Sequence, residues 1–315
     1  MRRPRHDRMP VGRPGVWHLV SRCVRRTHLL EAKGRREWLS ERIASWCGIL
    51  ALDLLGYALM GNHLHLVIRT RPDRSAGWSV REVATRMLAA CSIHDGSPSQ
   101  PDKAAIAAAM GREEQIAEAR LHLSHPGVMM RSLKEGFARK VNLAEGAAGH
   151  VWESRYQDVA VIDAGGVLAC LVYVDLNPFR AGLVADPARS DFCSARHRLV
   201  VDASAPDAAL GACLHRLEGH PLLDGHGQEL GAWSWTSADV AELTAATARL
   251  LRREEARLPT WAEELLPRLG VAREFWPAAM GRGGTVCGSV MGSLEARRRL
   301  AGTGRLASDK TGLFY

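Results

Sequence analysis

Hydrophobic and polar positions change period several times along the chain, and each change marks an element. In Val16–Val24 the residues Val16, His18, Val20 and Arg22 alternate with Trp17, Leu19, Ser21 and Cys23, the period of two expected of a half-buried strand. Gly34–Leu50 switches to helical spacing, with Trp38, Leu39, Ile43, Trp46 and Cys47 in register. Leu52–Met60 reads as a strand again and Gly61-Asn62 as a tight turn. Beyond the turn Leu64, Leu66 and Ile68 alternate with His63, His65, Val67 and Arg69. The two segments are expected to pair as a hairpin. Helices are predicted over Ser79–Ile93, Ala104–Leu123 and Val128–Asn142. A strand is predicted at the alternating end of His150–Asp163. A helix follows over Ala164–Leu176, closed by Pro178 because a residue before proline avoids the α region. This order predicts an α+β fold, an antiparallel sheet backed by helices.

The rest of the chain reads less sharply. Residues 1–15 form a basic arm rich in proline and glycine, and 201–225, rich in Ala, Gly, Asp and Pro, read as a linker. Residues 226–315 read as a helical accessory region, with helices over Ser237–Arg257, Trp261–Leu269 and Ser289–Ala301, the last ending in Arg297, Arg298 and Arg299.

Composition adds a partner class. The net charge is +8 and the pI about 9.4, which points to an anionic partner, nucleic acid first. The charge sits in front: residues 1–200 carry 29 Lys and Arg against 20 Asp and Glu, residues 201–315 carry 13 against 14. The seven cysteines are scattered without a CxxC pair, as expected of reduced thiols in a cytoplasm. No apolar h-region follows the basic start, and no apolar run approaches the ~20 residues of a membrane span.

Chemistry concentrates in two places. Side chains at i and i+2 of a strand share a face, so His63 and His65 project together, and two neutral imidazoles at that separation can grip one divalent cation. HxH alone also describes two surface histidines. Tyr173 stands four residues before Asn177, so the two share a helix face if the helix runs that far; Asn177 as an ordinary helix cap is the plain alternative. Arg131, Lys134, Arg139 and Lys140 line much of the Val128–Asn142 helix, as a solvated face or as a seat for a DNA backbone.

Five stretches together resemble one family. These are PGVWHLVSRCVRRTHLL from residue 14, GNHLHLV from 61, GHVWESRYQDVAVID from 149, CLVYVDLNPFRAGLVADP from 170 and, more loosely, FWPAAMGRGGTVCGSVMGSLEARRR from 275. They are similar to the single-tyrosine transposases of the HUH endonuclease superfamily, of the REP-associated tyrosine transposase type. The resemblance covers about residues 14–200. Two departures stand out: Gly61 in place of the family's usual proline, and residues 92–127, which look like a helical insertion in a catalytic domain spanning 16–200.

The resemblance implies a ferredoxin-like HUH endonuclease fold with a helical C-terminal extension. It implies a metal-dependent transposase that nicks and rejoins single-stranded DNA near hairpins through a 5′-phosphotyrosine intermediate. Tyr173 is then the nucleophile, and His63, His65 and Asn177 hold Mg2+ or Mn2+. Arg22, Arg139, Lys140 and Arg155 are expected to contact nucleic acid; Trp17 or Trp152 could stack on a base, with core packing the expected job of each. Monomer and homodimer both stay open. Two rivals predict different outcomes. A non-catalytic single-stranded DNA binding or regulatory protein derived from a transposase does not need Tyr173, and a metal-dependent phosphoesterase using water forms no covalent adduct.

Overall fold

The computed structural model describes residues 9, 11–91, 101–200, 203–217, 221–223, 229–232, 235–252, 257–280 and 290–291. Residues 1–8, 10 and 92–100, and the run holding Arg297, Arg298 and Arg299, lie outside them, so most of the basic arm and that arginine cluster are not described. Four strands form the centre: β1 (Gly15–Arg22), β2 (Leu52–Leu59), β3 (His63–Thr70) and β4 (Gln157–Val161). Their order is β2-β3-β1-β4 and every adjacent pair is antiparallel. With α1 (Arg35–Ile49) between β1 and β2, and helices again between β3 and β4, this is the ferredoxin-like β-α-β-β-α-β arrangement. A two-residue strand, Val290–Met291, adds to β4 in parallel.

Alternation gives the sheet two apolar faces with separate cores. Trp17, Leu19, Leu64, Leu66 and Ile68 face a core shared with α1 and with α5 (Gly127–Glu145), through Ile43, Trp46, Met129, Leu133 and Phe137. The predicted helix Ala104–Leu123 is two helices, α3 (Lys103–Met110) and α4 (Glu113–His122), broken at Gly111-Arg112. Together with α2 (Val80–Cys91) they extend this layer.

The other face carries Val16, Val67, Val159 and Val161 and is covered by α6 (Ala164–Asp175). Every residue of α6 except Tyr173 is buried. Its outer side packs on α8 (Ser237–Leu251), α9 (Thr260–Arg268) and Trp276 in one core. Gly165 and Gly166 permit the approach: a Cβ on Gly165 would stand 2.5 Å from the Leu269 carbonyl oxygen, and one on Gly166 2.9 Å from that of Met291. The stretch 203–217 is also packed, with Leu210 and Leu217 fully buried. Its Asp207 accepts a 2.7 Å hydrogen bond from the Tyr57 hydroxyl. The predicted helix Ser289–Ala301 does not form at its described start, where Val290 and Met291 are a strand; the open edge of β4 satisfies their backbone groups instead. No helix of the described residues is long and apolar enough to cross a membrane.

Candidate active site

The imidazole-bearing face changes character along its length. Arg22 lies opposite His63, and Val20 opposite His65, across the β1–β3 ladder. The strand register therefore gathers His18, Arg22, His63 and His65 at one end of the face that α6 covers. Asp163 caps α6 through the Gly166 amide at 2.7 Å, and the helix runs from there toward the imidazoles. Its last residue, Asp175, is fully buried, where Ser194 and Arg198 of α7 (Ser194–Leu199) bind its carboxylate. The same Ser194 hydroxyl accepts from the Tyr57 amide at 3.0 Å, and Arg198 donates to the Leu55 carbonyl. The end of α6 is thus tied to β2, and Tyr173, two residues earlier, is held in place.

The Tyr173 ring stands edge-on to two imidazoles, with centroids 6.2 Å from His65 and 6.3 Å from His18. Among the described tyrosines it alone makes such contacts at this end. Tyr57 and Tyr156 belong to the core on the opposite face, and Tyr315 lies outside the described residues. A single helical turn, Asn177–Arg180, continues from α6 through Leu176. It sets the Asn177 side chain beside the His63 ring and the Arg180 guanidinium 4.2 Å above the centre of the Tyr173 ring.

Burial, with Arg22 beside them, keeps the imidazoles neutral at pH 7. His63 is lowered to about 4, His18 to about 3, and His65 lies well below the ordinary imidazole value. Neutral imidazoles carry the lone pair a metal needs. Each of the two strand histidines has its Nδ1 engaged: His63 by Asn62 Oδ1 at 2.6 Å, His65 by His18 Nε2 at 2.8 Å. Asn177 is buried, and its Nδ2 has no hydrogen-bond partner among the described residues. No three His, Cys, Asp or Glu side chains there converge as a metal cage. Two neutral imidazoles with the oxygen of the Asn177 side chain beside them nevertheless fit one divalent cation.

The sequence-derived nucleic-acid contacts divide. Arg22 lies in the site and donates to Gln157 at 3.3 Å. Arg155 is exposed in the loop entering β4. Arg139 and Lys140 are exposed on α5, in the helix layer against the opposite face of the sheet. Trp17 and Trp152 are both buried core residues. His18, read with Arg22 and Arg155 as a candidate for the site face with surface solvation as the plain alternative, is buried against His65. Arg180 was missed, although Tyr173, Asn177 and Arg180 follow the i, i+4, i+7 spacing of one helix face.

No family model matches the chain, and no curated protein matches it. A solved structure is similar. It is that of the REP-associated tyrosine transposase bound to a REP hairpin, aligned over 66% of this chain and 88% of the other at 14% identity and a TM-score of 0.36. At that distance the functional reading stands on this chain's own residues.

Proposed function

We propose that the protein is a transposase-type endonuclease that nicks and rejoins single-stranded DNA beside a hairpin, using Tyr173 as nucleophile. The observation that carries this is the placement of a half-buried tyrosine against His65, with Asn177 one turn further on beside His63. In the forward step the Tyr173 oxygen attacks phosphorus and the bond to the 3′ oxygen breaks. The phenol proton is lost and the leaving oxygen takes one up, which yields a free 3′-OH and a 5′-phosphotyrosine. The reverse step rejoins a strand without ATP because the phosphodiester energy is kept in the link. His63, His65 and Asn177 would hold Mg2+ or Mn2+, which when bound polarises the scissile phosphate. Arg180 and Arg22 supply positive charge beside the nucleophile, where guanidinium groups suit phosphate oxygens.

The test is incubation with 3′-labelled single-stranded hairpin DNA and Mn2+, followed by denaturing electrophoresis. The expected result is label retained at protein size. Cut DNA with no adduct makes water the nucleophile. Binding with neither cutting nor adduct leaves a DNA-binding protein.

A further inference from the structure

His18 breaks the apolar pattern of its own face. It lies on β1 between Val16 and Val20, both buried, and is itself 1% exposed. A polar group at such a position costs free energy unless it is hydrogen-bonded. Its neighbour is His65, itself 3% exposed. Val20 lies opposite His65 and His18 opposite Val67, so the two histidines are diagonal neighbours on adjacent strands, within reach of each other. Their rings stack at 5.0 Å and 18°, and His18 Nε2 meets His65 Nδ1 at 2.8 Å.

The partner atoms give the contact a direction. A neutral imidazole has one N–H and one lone pair. His63 and His65 each have Nδ1 met by a protein group, Asn62 for His63 and His18 for His65, so a cation shared by the two would be reached through their Nε2 atoms, with the Asn177 side chain beside His63. Metal-bound histidines generally give their other ring N–H to a protein acceptor, which fixes tautomer and ring orientation. We propose that His18 is a positioning residue: its Nε2 accepts the His65 Nδ1–H, and this holds the His65 Nε2 lone pair toward the cation. The inference rests on the divalent-cation reading above. It places His18 behind the ligand, between β1 and the Tyr173 ring, and not in contact with substrate.

The experiment measures Mn2+ binding to the full chain by calorimetry or electron paramagnetic resonance, without DNA. His18→Phe keeps a ring and removes the acceptor; His18→Gln keeps an acceptor. Outer-shell partners of this kind typically contribute ~10–100-fold in metal affinity. His18→Phe is therefore expected to weaken Mn2+ by about that factor, and His18→Gln to restore most of it. Wild-type affinity in His18→Phe would overturn the inference and leave the cation site standing. Wild type that binds no Mn2+, or binds it equally well with His65→Ala, would overturn the cation reading and the inference with it. A second measurement needs no variant. Histidine 15N shifts of the metal-free wild type should show His65 protonated at Nδ1 and His18 unprotonated at Nε2. The opposite tautomers would overturn the assignment even if His18→Phe fails to fold.

Discussion

The two ends of one sheet face are both polar, and they are built on opposite plans. At the end of β3 far from the histidines, Asp53 is buried among Arg69, Arg71 and Arg74 at 2.6, 3.1 and 3.0 Å, with His215 at 3.7 Å. Burial alone raises its pKa, but Arg69, His215 and Arg74 overcome that and hold it below the ordinary carboxylate value. At the other end, buried neutral imidazoles stand under the influence of Arg22, Arg26 and Arg180. The first end is a finished structural cluster, with charge met by charge. The second offers lone pairs and guanidinium groups, which the proposed function assigns to a cation and a phosphate. Between them lie Val67 and the apolar body of α6. The contrast separates polarity that holds a fold from polarity that the proposed function assigns to a ligand.

Three substitutions sharpen that contrast, in order of expected effect. His65→Ala removes a proposed ligand outright, so metal-dependent nicking should fall by more than the ~100-fold upper range of outer-shell losses, while circular dichroism stays native. Full cleavage by this variant would end the metal assignment. Asp53→Asn acts on the fold instead. It leaves Arg69 buried without its charge partner, a change that costs about 3–5 kcal/mol where buried pairs are broken.

The pH dependence of Asp53→Asn follows from the sign of the Asp53 shift. The folded pKa is lowered, so its contribution is complete above the unfolded value of ~3.9 and is lost as pH falls from there through the lowered folded value. Thermal melts in this acid range should show a shallower pH dependence in the variant than in wild type. Equal slopes would mean that the cluster does not hold a charged Asp53. The smallest effect is expected of Arg180→Ala. Removing one phosphate contact should weaken single-stranded DNA binding uniformly across sequences and reduce the salt slope by about 0.7. Anisotropy titrations across salt concentrations measure both. An unchanged slope would make Arg180 only a cover for the Tyr173 ring.

Much of this site was legible in the chain because it depends on short periods. The i, i+2 spacing of His63 and His65 and the i, i+4 spacing of Tyr173 and Asn177 each put two groups on one face, and the ferredoxin-like strand order followed from the resemblance. What was not legible needed register or long-range packing. The His18–His65 contact exists because β1 pairs with β3 at one offset, which periodicity does not specify. The C-terminal helices read as an accessory region, yet Trp276 and Leu266 share the core of α6. A signal for that was present: Ala164–Val174 has no charged residue and is apolar all round, the mark of a helix buried on every side. Residues 201–225 read as a linker from their Ala, Gly, Asp and Pro, because the anchor of 203–217, the Tyr57 hydroxyl on Asp207, lies far away in sequence.

The most direct test of the account is to locate the covalent bond. Wild type and Tyr173→Phe are each incubated with 3′-labelled hairpin DNA and Mn2+, digested with trypsin and nuclease, and analysed by mass spectrometry. The substitution removes one hydroxyl and keeps the ring, so the fold and DNA binding should persist. A phosphonucleotide is expected on the peptide carrying Tyr173 in wild type, and no adduct in the variant. An adduct that survives in Tyr173→Phe, or maps to Tyr57 or Tyr156, would contradict it.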